Sequence, residues 1–164
     1  MSPKPFEPLA ITIFCDDIRY EVGGKHSLIG IYRDDLLLQG VTFPTTLPKL
    51  ALSVTLVLHS SQPVLPMEIK ISLPGEHEDA PQYVAHVDTR IDPDTDASTD
   101  KRRHLNFHFI LAPITFKEPG PIKVRLHQQN HVIKAGSLNV RSVDTTETSL
   151  LQLSGLPPTV GLLT

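Results

Sequence analysis

In residues 50–59, LALSVTLVLH, the side chains of Leu50, Leu52, Val54, Leu56 and Leu58 alternate with Ala51, Ser53, Thr55, Val57 and His59. In an extended chain successive side chains point to opposite faces, so this spacing gives a strand with one strongly apolar face. A helix would scatter the same leucines around its circumference. The alternation recurs in Met67, Ile69, Ile71, Leu73, in Tyr83, Ala85, Val87, Ile91, in Leu105, Phe107, Phe109, Leu111 and in Ile122, Val124, Leu126. No segment keeps a 3.6-residue period over three turns.

Strands are therefore expected over 9–15, 27–33, 50–58, 67–73, 83–91, 103–111, 122–128 and 132–143. About eight such strands, separated by turns in a chain with 15 prolines and nine glycines, fit an all-β antiparallel β-sandwich of the immunoglobulin-like or C2-like kind. The last two strands read as a hairpin with Gln129 and Asn130 at its tip. Asn130 tolerates positive φ there, and Gly136 would allow a bulge in the returning strand. The sandwich domain spans 1–143. Residues 144–164 read as an apolar tail that docks on its own domain or on a partner, and Leu150, Leu151, Leu153 and Leu156 within it are candidates for contact with a protein partner or a second copy, along with Leu162 and Leu163.

Charge narrows the partners. A net charge of −3, with 15 basic residues spread along 164, leaves no basic stripe for nucleic acid or an anionic membrane. No apolar run approaches the roughly 20 residues that a membrane-spanning helix needs. A single cysteine makes no internal disulfide and the N-terminus lacks a secretory apolar stretch, so a cytoplasmic location is expected.

Several clusters invite a chemical reading. Asp92, Asp94, Asp96 and Asp100 occupy positions one, three, five and nine of a calcium-loop count, but Ala97 stands where that loop needs glycine and Arg103 where it needs glutamate. A looser calcium site is conceivable if the connections 16–26, 59–66, 92–102 and 129–130 gather at one end of the sandwich, bringing Asp16 and Asp17 to the same loop. Among eight histidines, His86 and His108 would share a polar face if 83–91 and 103–111 formed a hairpin, with Asp88 as a diagonal third donor for a transition metal. His127 and His131 flank the hairpin tip and so fall on different strands. Cys15 follows Ile11 and Ile13 in alternation and reads as an inward-facing small hydrophobe, and Asp16 and Asp17 beside it would raise its pKa. No nucleophile and base pair, phosphate loop or cofactor motif appears, so no catalytic residue and no cofactor is assigned.

The run CDDIRYEVGGKHSLIGIY does resemble the N-terminal signature of a family of uncharacterised bacterial proteins. The matching positions are Cys15, Asp16, Asp17, Ile18, Arg19, Glu21, Gly24, Lys25, Ser27, Leu28, Ile29, Gly30, Ile31 and Tyr32. FPTTLPKLALSVTL from Phe43 is similar to that family's approach to its next strand, as is Pro119-Gly120 before a late one. The resemblance implies a β-rich domain of bacteria and their phages, with no activity assigned. In physical terms the signature is a sheet corner: turn-holding aspartates, a hairpin arm closed at Gly23-Gly24, and a glycine inside a strand at Gly30. The expectation that follows is a non-catalytic binding or assembly module. The alternatives are calcium- or metal-dependent recognition through the acidic loops, and a hydrolytic enzyme.

Overall fold

The computed structural model describes residues 7–92 and 102–144, and every regular element within them is a strand. In chain order these are β1 (Leu9–Tyr20), β2 (His26–Tyr32), β3 (Asp35–Gln39), β4 (Thr45–Leu47), β5 (Leu50–His59), β6 (Met67–Ser72), β7 (Tyr83–Val87), β8 (Arg102–Leu111), β9 (Ile114–Phe116), β10 (Gly120–Gln128) and β11 (His131–Val143). A four-stranded sheet runs β2-β1-β5-β8, a five-stranded sheet runs β3-β11-β10-β6-β7, and β4 pairs β9 in a short ribbon. The all-β, sandwich-like class is as the alternation predicts, and each expected strand is present. β3, β4 and β9 are additional.

The alternating leucines of β5 lie at the centre of the core. Leu50, Leu52, Val54 and Leu56 have no exposed surface, and they meet Ile69 and Ile71 of β6, Ile122, Val124 and Leu126 of β10, and Leu138 and Val140 of β11 in one cluster. Each such side chain contributes on the order of 1.5–3 kcal/mol on burial, which makes this cluster the main source of stability. The β4–β9 ribbon continues the β5–β8 ladder. Leu47 opposite Ile114 and Leu50 opposite Leu111 share one register, broken only where Pro48 and Pro113 have no amide hydrogen to donate. Buried Ile114 and Phe116 close that end of the core.

Two departures from regularity matter below. In β11 the register against β10 shifts between Val124 and Arg125, and Gly136 has φ +131, which is the bulge expected at that glycine. At the hairpin tip it is Gln129, not Asn130, that takes positive φ, at +50. β3 runs parallel to β11, with Asp35 opposite Asn139, so the sheets are not wholly antiparallel. β2 and β5 both run antiparallel to β1 and flank it. They therefore point the same way, although a simple up-and-down reading would oppose them.

Candidate functional site

The signature stretch builds a corner. Asp16 faces Gly30 across the β1–β2 ladder, where Gly30 has φ +67, and a Cβ on Gly30 would lie 1.9 Å from Asp16 Oδ2. Only glycine satisfies both the left-handed backbone and that contact. The Tyr32 hydroxyl donates to Asp16 Oδ1, and burial together with this bond holds the phenol well above the usual tyrosine range. Asp17 points the other way: its Oδ1 accepts from the Ile18 amide at 3.0 Å and pairs with Lys49 Nζ at 2.7 Å. The hydrogen bond and charge of Lys49 hold the Asp17 carboxyl below the ordinary carboxylate range. Both aspartates thus serve the turn.

Beyond this corner the β1–β2 arm doubles back over the outer face of the four-stranded sheet. Ile18 and Leu28 pack on Cys15 and Ala51. Farther along, Tyr20 Oη lies 3.1 Å from His108 Nδ1 and the His26 ring stacks edge-on with His108 at 4.5 Å. His108 is level with Ile13 in the ladder, through Ser53, so a straight β1 would carry Tyr20 far past it. Glu21 N–H donates to Lys25 O and Ser27 Oγ to Glu21 Oε1 at the arm's closed end.

This placement corrects the expectation for Cys15. It is fully buried, but on the outer face, beneath the arm, because Ile11 and Ile13 in the same alternation point outward. Burial, with Asp16 and Asp17 nearby, raises its thiol pKa, so it has no activated thiolate. Along β1 the outward residues are apolar, Leu9 being 51% exposed, Ile11 51% and Ile13 37%, with Ile31 at 56% and Ile110 at 53% elsewhere on the face, while β5 and β8 present Ser53, Thr55, His104, Asn106 and His108 there. The opposite outer face, on the five-stranded sheet, is charged instead. There Lys123 Nζ meets Glu78 Oε1 at 2.6 Å, Arg125 lies 3.8 Å from Glu78, and Lys70 lies 3.4 Å from Glu68. Sandwiches ordinarily wet both outer faces. A sequence signal for the difference exists in β1, where in LAITIFC both parities are apolar apart from Thr12.

The predicted metal candidates are not brought together as expected. Asp17 sits beside Lys49 at the start of β5, whereas Asp92 O accepts from Arg103 Nη2, and Arg103 pairs with Leu58 at the other end of that strand. The 59–66, 92 and 128–131 connections do gather, through Val64 opposite Ile91 and Gln128 Nε2 donating to Leu65 O, but 16–26 lies at the opposite end. The unforeseen β3 reverses the strand direction on which the grouping depended. Asp94, Asp96 and Asp100 lie outside the described residues, as do Leu150, Leu151, Leu153 and Leu156. β7 pairs with β6 and β8 with β5, so the expected hairpin does not form. His86 faces Glu68 in one sheet and His108 faces Ser53 in the other. Among the described residues no group of three or more His, Cys, Asp or Glu side chains could hold a metal ion.

A groove of about 770 Å³ opens between the start of β1 and the β10–β11 hairpin, lined by Leu9, Leu58, Leu65, Val132, Ile133 and a polar rim that includes Glu7, His131 and Lys134. It adjoins the apolar stripe through Leu9. Among the described residues no helix is long and apolar enough to cross a membrane. Residues 10–141 match a family of unknown function, DUF6941. No curated protein and no solved structure matches the chain.

Proposed function

We propose that this chain, which belongs to the family of unknown function DUF6941, is a non-catalytic binding or assembly module acting through the outer face of its four-stranded sheet. The asymmetry of the two outer faces carries this reading. Leu9, Ile11 and Ile13 form an exposed apolar stripe along β1, with Ile31 diagonal to Ile13 on β2, where the other sheet presents ion pairs. Contiguous apolar surface on a small domain is costly to leave in water, and in other proteins it commonly marks a site of association. The rigid four-stranded platform beneath would hold such a surface in one shape. A bacterial or phage setting, as the signature implies, fits a small assembly part of this kind.

Sedimentation of the full chain and of Ile11→Lys at micromolar to tens-of-micromolar concentration tests self-association. Photo-cross-linking from position 11 in the native host tests a protein partner. The expected result is a concentration-dependent mass that Ile11→Lys abolishes, or a discrete cross-link from position 11 that Ile13→Lys abolishes. A wild-type chain that stays monomeric and yields no cross-link from position 11 would sink the proposal.

A further inference from the structure

The inward face of the β1–β2 arm has an apolar half and a polar half. Ile18 lies opposite Leu28 and Tyr20 opposite His26, so these four side chains share the face that meets the sheet. Ile18 and Leu28 cover Cys15 and Ala51, which have no exposed surface. Tyr20 and His26 rest on His108, with Tyr20 Oη 3.1 Å from His108 Nδ1 and the two imidazole rings edge-on at 4.5 Å. The arm leaves the sheet at Gly30, where φ is +67, and its far end is fastened by histidine.

The surroundings of His108 suit a neutral ring. Its Nε2 is buried and has no hydrogen-bond partner among the described residues. A neutral imidazole carries one N–H, whereas an imidazolium carries two, so protonation leaves a charged donor at buried Nε2 without an acceptor. A second proton on His26 would place a like charge in ring contact with it. Ser53, directly opposite on β5, and Asn106 on β8 do not titrate. On the arm, Arg19 turns to Asp17 at 3.7 Å and Glu21 to Ser27 at 2.7 Å. Burial first, and then the charge of His26, hold the His108 pKa below its ordinary 6.5.

We propose that the arm is a pH-operated cover: protonation of the His26–His108 pair releases Tyr20 and His26 from the sheet, and residues 18–28 lift about Gly30 to uncover Cys15 and Ala51. A lifted arm returns His108 to water, where an imidazole takes up a proton near pH 6.5, while the closed arm resists that proton. Closure is therefore fully favoured above that pH and weakens as pH falls below it. Cys15 follows Leu9, Ile11 and Ile13 in the outward row of β1, so lifting the arm lengthens the apolar stripe. The cover operates whether or not that stripe has a partner, because its readout is access to Cys15.

Labelling of Cys15 in the full chain with 4,4′-dithiodipyridine, which stays reactive in acid, tests the cover. Dividing each native rate by that of the urea-unfolded chain at the same pH removes the change in thiolate fraction. The relative rate should rise roughly fivefold or more between about pH 7.5 and 5. That window lies above the range in which Asp17, whose pKa is lowered, protonates. Hydrogen exchange of the β5 amides should stay slow throughout. His108→Gln, and the double variant with His26→Gln, should give a flat profile. His104→Gln, whose position lies opposite Val57, should keep the wild-type rise. A flat wild-type profile, an undiminished rise in the double variant, or loss of β5 protection in step with labelling would overturn the proposal.

Discussion

At the scale of single residues the corner at Asp16 and Gly30 leaves less room for a Cβ than the glycines at 75, 120 and 136. A methyl group at residue 30 meets Asp16 Oδ2 and is also forced into φ +67. Gly30→Ala should therefore lower stability in chemical denaturation by about 1–3 kcal/mol from backbone strain, with a further loss from the clash. Adding Asp16→Ala should restore only the clash component; a double variant as stable as Asp16→Ala alone would show that the backbone is unstrained. Lys49 lowers the folded-state pKa of Asp17, so the pair contributes stability above the unfolded carboxylate pKa of about 3.9. That contribution is lost as pH falls through the lower folded value. Melting temperature should drop across pH 4 to 2 more steeply in wild type than in Asp17→Asn, and high salt should narrow the difference.

The arm is the element on which Cys15 depends. Its cover is the pair Ile18 and Leu28, so the thiol is reached only when the arm lifts. A disulfide reagent should label native Cys15 slowly, and Leu28→Ala should speed labelling by roughly tenfold for each ~1.4 kcal/mol of cover removed. Labelling at the unfolded rate in wild type would mean that the arm does not shield it. What the sequence shows of such elements follows from their length. Five alternating positions in β5 declare a strand and its buried face, and Gly136 declares its bulge. DLLLQ in β3 and the three-residue β4 and β9 are too short to display a period, and their identity comes from partners far along the chain. The turned-back arm has no sequence sign beyond Gly30, because folding over a sheet is a tertiary event. That is why Cys15 reads as inward when it is outward and covered, and why the acidic loops read as neighbours. His86 is visible as a polar-face residue, but its cross-strand partner, Glu68, depends on strand order, which alternation does not encode.

Taken whole, the molecule is two sheets with unlike outer surfaces. One bears the apolar stripe and the folded arm, the other the ion pairs. The parallel pairing of β3 with β11 adds a constraint of time. Asp35 finds Asn139 only after nearly the whole domain has been made, and β11 must then fit between β3 and β10. β1 to β5 leave the ribosome first, with the inner leucines of β5 lacking most of the sheet that will cover them. From His59 to Val143 is 84 residues, which at ~5–20 residues per second takes about 4–17 s. During synthesis the exposure of this core is thus governed by the pace of translation, and its last strand arrives as the domain is completed.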